Sequence, residues 1–245
     1  MRIKKIKTLD YYYGDEEKIK RILYKSQEPI LIKIHNFTEK FSLDYFEKYA
    51  NTTTTYSIFK AGRWVSHQAG KLITLLSEIK KNKPYRIFGH IFSKEESAEI
   101  EKHIPLWQTI PLRPRFFNKR LKTAYFFGGK NSNTAMHFDR EHCCNLHVCL
   151  SGKKQLLLFT QDQNNNIYKL PFVGDSLIDF SQPLGTLHKQ FPRLNDATGY
   201  NILLEKGDMV FMPKNCWHYT QYLDASASAT YVFYPKKILQ FYGYF

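Results

Sequence analysis

Between Thr134 and Cys144 the chain reads TAMHFDREHCC, which places two histidines, two acids and two cysteines in eleven residues. Three chemistries fit such a cluster: zinc on thiolate and imidazole, iron on imidazole and carboxylate, or a strand end with polar decoration. His137 and Asp139 are two apart, and residues i and i+2 of an extended strand point to one face, so both can reach a common interior. A third ligand has to come from elsewhere. The best placed is His218 in GDMVFMPKNCWHYTQ, where a strand-like run ends at Pro213 and an aromatic turn carries a histidine. Two imidazoles and one carboxylate on one face of an octahedron leave three positions open, which suits non-haem Fe(II) and its co-substrates.

The zinc alternative would draw on His142, Cys143, Cys144 and Cys216. Its spacing is poor: adjacent cysteines point apart on a strand, no C-x2-C pair exists, and Cys149 sits in an apolar run typical of a buried thiol. His137 taken alone would read as an ordinary strand histidine. His142, His147 and His188 read as polar residues without a ligand role, and Lys153 as a solvated charge.

The elements that must position these groups follow from periodicity. GDEEKIKRILYKSQEP has acids first, bases last and Ile19, Ile22 and Leu23 at helical spacing, so it predicts a helix matched to its own dipole. The Tyr11-Tyr12-Tyr13 run before it reads as packing for that helix. ILIKIHNF reads as a buried strand, SLDYFEKYAN as a helix from Ser42, and TTTYSIF as a second strand. GKLITLLSEIKKNKPYRIFGHIF predicts a helix ending before Pro84 and then a short strand, while SKEESAEIEKHIPLW carries a capping box at Ser93 and Glu96. From about Leu121 the pattern changes to short runs, LKTAYFFGG, CNLHVCLSG, KQLLLFT, GDMVFMP and ATYVFYP, parted by turn residues. Such a series predicts an antiparallel barrel or sandwich.

Composition bounds the class. The 245 residues are 43% hydrophobic and 24% charged, which suits a folded domain. No stretch approaches the roughly 18 consecutive apolar residues of a membrane span, and the basic start has no apolar core behind it, so a cytoplasmic, intracellular protein is expected. Four unevenly spaced cysteines fit thiols in a reducing compartment. The net charge of +14 is lopsided: residues 1–122 hold 25 Lys+Arg against 13 Asp+Glu, and residues 123–245 hold 11 against 9. That asymmetry fits an anionic partner, RNA or an acidic protein surface, as well as a lysine-rich solubilising surface. The stretch RPRFFNKRLK, Arg113 to Lys122, interleaves cations with aromatics as nucleic-acid contacts do, and as an ordinary packing loop can.

The ordered set Thr134-x-x-His137-x-Asp139, SGKKQLLLF and GDMVFMPKNCWH resembles the JmjC and cupin-like family of Fe(II)- and 2-oxoglutarate-dependent oxygenases. EPILIKIHNFTEKFSLDYFEKYA is similar to the start of such proteins, so the likeness covers most of the chain. It implies a mainly β fold with flanking helices, a double-stranded β-helix (the cupin jelly-roll) with an N-terminal α/β extension. It also implies one domain over 1–245, in which 1–120 buttresses a jelly-roll core at 121–235. His137, Asp139 and His218 would hold Fe(II), and Lys154 and Thr134 would bind the distal carboxylate of 2-oxoglutarate. Lys153 and Lys154 face opposite ways on a strand, and the family spacing favours Lys154. Asn145 falls where the family commonly has a polar residue near the co-substrate.

Two departures accompany the likeness. Asn145 lies about two residues farther from Asp139 than in close relatives, so the turn from Arg140 to Cys144 is long, and Val232 stands where some relatives carry asparagine. The implied activity is hydroxylation of a protein or peptide side chain. An oxygenase of RNA, such as tRNA, or of a small metabolite, and a non-catalytic cupin binding module, are the other readings. The pattern carries no signal of oligomeric state.

Overall fold

In a computed structural model of the chain, residues 1–107, 109–110, 123–140 and 143–234 are described. The basic and aromatic run 113–122 lies outside them, as does His142. The elements in chain order are β1 (Arg2–Ile3), β2 (Lys7–Tyr11), α1 (Glu16–Lys25), β3 (Ile30–Ile34), α2 (Leu43–Glu47), β4 (Thr53–Lys60), β5 (Arg63–Lys71), α3 (Leu72–Lys80), β6 (Tyr85–His90) and α4 (Lys94–Glu101). There follow β7 (Ala124–Gly128), β8 (Asn133–His137), β9 (Cys144–Ser151), β10 (Lys153–Phe159), α5 (Leu184–Gln190), β11 (Thr198–Glu205), β12 (Asp208–Met212), β13 (Trp217–Tyr222) and β14 (Ser226–Phe233). Two sheets result: β1-β11-β10-β13-β8, and β2-β3-β12-β9-β14-β7-β6-β4-β5. The fold is mainly β with flanking helices, the cupin jelly-roll with an N-terminal α/β extension.

Burial explains the layering. β9 is covered on both faces yet keeps strict alternation: Leu146, Val148 and Leu150 turn to one side, Asn145, His147 and Cys149 to the other. The apolar set joins Ile19 and Leu23 of α1, Phe46 of α2, Leu75, Leu76 and Ile79 of α3 and Ile100 of α4 in one core behind the larger sheet. The N-terminal helices therefore buttress that sheet, each with local cause. α1 has Glu16 and Glu17 in its first turn and Lys25 in its last. The Ser42 side chain accepts from the Tyr45 amide at 3.2 Å, and Ser93 and Glu96 form the capping box at the head of α4. Outside the smaller sheet, residues of the 161–197 segment, including Ile167, Ile178, Leu187 and Leu194, cover Leu157, Phe159, Trp217 and Tyr219. Between the sheets, Val210 and Met212 of the larger pack on Leu156, Leu158 and Ile202 of the smaller.

The structure departs from the sequence expectations at several places. A strand, β2, precedes α1 and ends at the first of the three tyrosines, Tyr11, which packs on the helix with its hydroxyl donating to Glu16 Oε1 at 2.5 Å. Tyr12 stacks on His35 at 4.5 Å, and Tyr13 is exposed. β5 lies outside the expected elements: it folds back on β4 through Ala61 and Gly62, whose φ of 50° and 77° suit a tight hairpin turn. No described helix is long and apolar enough to cross a membrane.

A close approach after β7 gives a stability test. A Cβ on Gly129 would lie 1.9 Å from the Lys83 carbonyl oxygen, a backbone atom that cannot move aside. Gly129→Ala is expected to lower stability by about 1–3 kcal/mol. Gly185→Ala, in α5 with open space around the added carbon, is expected to raise it by about 0.5–1 kcal/mol. Urea midpoints at unchanged slope check both.

Candidate metal centre

The site is built on a bulge. β8 pairs with β13 so that His137 lies opposite His218 and Thr134 opposite Thr220, which leaves Ala135 and Met136 facing the single residue Tyr219. In a regular strand, residues three apart point to opposite sides. The extra residue turns Thr134 and His137 to the same interior while Met136 enters the outer core. β8 ends at His137. Asp139 therefore does not share an extended strand with His137, as the spacing suggested, but follows it in irregular chain fixed by the Phe138 amide donating to the Gly174 carbonyl at 2.8 Å. The turn still brings Asp139 Oδ1 to 3.7 Å from His137 Nε2.

His137, Asp139 and His218 offer ligand atoms that all lie within 4.8 Å of one another. Among the described residues no other group of three or more such donors gathers. His137 Nδ1 lies 2.8 Å from the Ala135 carbonyl oxygen, and His218 Nδ1 lies 3.1 Å from that of Cys216. A carbonyl only accepts, so each Nδ1 carries the proton and each Nε2 keeps its lone pair for a ligand, the usual outer-shell arrangement of metal-binding histidines. Burial and the neighbouring His218 hold the His137 imidazole well below its usual range, so it is neutral at physiological pH. The Asn145 side-chain amide donates to Asp139 Oδ2, which orients the carboxylate and leaves Oδ1 turned toward His137. This donor set fits a divalent metal with open positions.

The cysteines do not. All four are buried thiols, and burial raises Cys144 to about 11 and Cys149 to about 12, so neither is a thiolate at neutral pH.

The histidines face a cavity of about 260 Å³ between the two sheets. Lys154 lies at its other end, wholly buried. Its Nζ donates to the Tyr222 hydroxyl at 3.3 Å and to Ser228 Oγ, and stands 4.3 Å above the Tyr222 ring. No carboxylate pairs with it among the described residues. Two neutral oxygens leave one ammonium proton and the full charge uncompensated, so the cavity is shaped for an anion. Lys153 points outward to Glu205 at 2.7 Å. Thr134 and Thr220 line the same cavity, and Asn145 lines it near the His-Asp-His cluster, opposite Val232 of β14. Each site residue expected from the sequence thus borders this one space.

Sequence reasoning missed Tyr222, Thr220, Ser228 and Thr230, and gave His147, on the same strand face as Asn145, no part in the site. A period of two was the available signal: His218, Thr220 and Tyr222 share one phase of β13, and Ser228, Thr230 and Val232 one phase of β14. Gly128 belongs with them, because a Cβ there would lie 2.5 Å from the Tyr222 ring.

Two sheets closed over a cavity that holds a His-Asp-His cluster able to take a metal define a cupin-type fold and site. A model of the cupin-like domain family matches residues 20–238. JmjC domain-containing protein D of Dictyostelium discoideum is 29% identical over 108 residues, 42% of this chain and 23% of that protein. HSPB1-associated protein 1 homolog of Danio rerio is 29% identical over 101 residues, 40% of this chain and 22% of that protein. Lysine-specific demethylase JMJ30 of Arabidopsis thaliana is 28% identical over 108 residues, 43% of this chain and 24% of that protein. The matched part is about a quarter of the length of these relatives. The chain belongs to the JmjC and cupin-like family, whose members are typically Fe(II)- and 2-oxoglutarate-dependent.

His137→Ala and Asp139→Ala are each expected to abolish tight binding of one Fe(II) or Mn(II) in anaerobic equilibrium dialysis, while Cys143→Ser and Cys144→Ser keep it. Full occupancy in both ligand variants would put the ion elsewhere.

Proposed function

We propose that this protein is an Fe(II)- and 2-oxoglutarate-dependent dioxygenase that hydroxylates a protein or peptide side chain. The observation that carries the reading is a single cavity with the His137, Asp139 and His218 cluster at one end and the unpaired cation of Lys154 at the other. A dicarboxylate with a keto acid at one end meets both requirements.

In this reading His137, Asp139 and His218 hold Fe(II), Lys154 and Thr134 bind the distal carboxylate, and Asn145 keeps Asp139 oriented. Fe(II) supplies the redox chemistry by which RH, O2 and 2-oxoglutarate become ROH, succinate and CO2. The protein's own residues bind, orient and exclude water. Lys154, with Tyr222 and Ser228 holding its position, sets the depth of the co-substrate. Phe126, Leu156, Met212 and Val232 line the space between the two ends and limit water there. At the mouth Phe88 and Ile91, 54% and 43% exposed, give an apolar rim against which the stem of a substrate side chain can pack. The relatives named for association with HSPB1 and for lysine demethylation support a protein substrate. Hydroxylation of an N-methyl carbon would release formaldehyde, so the same chemistry covers demethylation. The whole chain works as one unit, with 1–120 buttressing the core at 121–235, in the cytoplasm.

Two measurements test this. Fe(II)-loaded protein is expected to convert 2-oxoglutarate to succinate and to leave +16 Da products in extract proteins, both absent with His137→Ala; no 2-oxoglutarate binding and no succinate would overturn the assignment. Lys154→Ala is expected to weaken 2-oxoglutarate binding roughly 10- to 100-fold, the effect of losing a hydrogen bond to a charged group, with metal affinity unchanged. Equal affinity in that variant would remove Lys154 from the co-substrate site.

A further inference from the structure

His147 occupies a place in the cavity that the proposed chemistry leaves unused. β9 turns it inward one step deeper than Asn145, opposite Thr230 of β14 and Val210 of β12. It therefore sits between the metal end, marked by Asn145, and the cation end, marked by Ser228 and Lys154. Its Nδ1 lies 2.7 Å from Thr230 Oγ1, whereas its Nε2 is buried with no hydrogen-bond partner. The ring stands edge-on to Phe126 at 5.9 Å and borders the same cavity as Lys154 and His218.

The neighbouring polar groups are already engaged. The Asn145 amide is committed to Asp139, Ser228 to Lys154, and Thr230 to His147 itself. Buried polar atoms are normally paired, and an apolar side chain of similar shape would pack among Phe126, Met212 and Val232 without an unpaired nitrogen. The imidazole is neutral, held so by burial and by the charge of Lys154. A neutral imidazole carries one N–H, and a hydroxyl that donates to Nδ1 leaves that N–H on Nε2.

We propose that His147 is a further co-substrate-binding residue: Nε2–H donates a hydrogen bond to the 2-oxo dicarboxylate in the cavity, and the Thr230 hydroxyl fixes the donating tautomer from behind. The inference rests on the reading of this cavity as the 2-oxoglutarate site. It adds a neutral donor midway between the metal and Lys154. Such a donor fixes the rotation of the bound acid, which a single distal cation does not.

The test is calorimetric titration of the Mn(II)-loaded full chain with 2-oxoglutarate, a binding readout independent of turnover. His147→Phe is expected to weaken binding about ten-fold or more. His147→Gln, whose amide can donate from a similar position, is expected to stay close to wild type, and Thr230→Val to fall between the two. Mn(II) affinity is expected to be the same in all. Wild-type affinity in His147→Phe overturns the inference and leaves the wider reading standing; wild-type protein that binds Mn(II) but no 2-oxoglutarate overturns both. If the variants fail to fold, the wild-type protein loaded with Zn(II) carries the test. The 15N resonance of His147 Nε2 is expected to shift when 2-oxoglutarate is added, and an unmoved resonance overturns the inference.

Discussion

The interior of this protein is organised around a charge it does not neutralise. Removing an ammonium from water costs several kcal/mol even after relaxation, yet Lys154 is wholly buried and its partners are a phenol, a hydroxyl and an aromatic face. The phenol and the ring belong to Tyr222 of β13 and the hydroxyl to Ser228 of β14, so the strand register follows from them. β10 must turn Lys154 rather than Lys153 inward, β13 must bring Tyr222 beneath it, β14 must supply Ser228, and β7 must end in a glycine to make room for the tyrosine ring. A one-residue slip of any of these strands would send its contribution to the opposite face.

The candidate metal ligands obey the same register from the other end. β13 carries His218 and Tyr222 four residues apart on one face, which fixes one ligand and one partner of the cation on a single rigid element. β8 would fail to do likewise, because Thr134 and His137 are three apart; the bulge against Tyr219 repairs the phase. Its position explains why a strand that contributes two site residues also contributes Met136 to the outer core. The backbone carbonyls of Ala135 and Cys216 then set the imidazole protons, so the tautomers that expose Nε2 are dictated by strand geometry and need no additional side chain.

The parts legible in the sequence were those whose signal is local. Capping residues, acids at the head of α1 and apolar phase marked the helices, and the spacing of His137, Asp139, Lys154 and His218 marked the residues that face one cavity. What escaped was set by pairing across the chain. β5 is a polar, exposed edge strand without apolar alternation, so only its hairpin with β4 defines it. The bulge in β8 depends on the register of β13, eighty residues away, and no local pattern announces it. Asp139 was placed on an extended strand because two residues of separation suffice for that; the chain reaches the same juxtaposition by turning after His137 under the hold of Gly174. His147 looked like one more polar residue because its partners, Thr230 and the cavity, come from distant segments.

Position within a shared face gives these polar residues their meaning. On β9 the inward series runs Asn145, His147, Cys149, from the metal ligands to the apolar packing between the sheets. Polarity falls along it as the groups to be contacted change from a carboxylate, to the cavity, to Leu156 and Val210. β13 runs the same way, from His218 through Thr220 to Tyr222 beneath the buried cation. The two strands thus span one distance, from the His-Asp-His cluster to Lys154. The strand registers that fix this distance are held by the helix-packed core behind the larger sheet and by the 161–197 cover behind the smaller. Residues remote from the cavity therefore set the separation of its two polar ends.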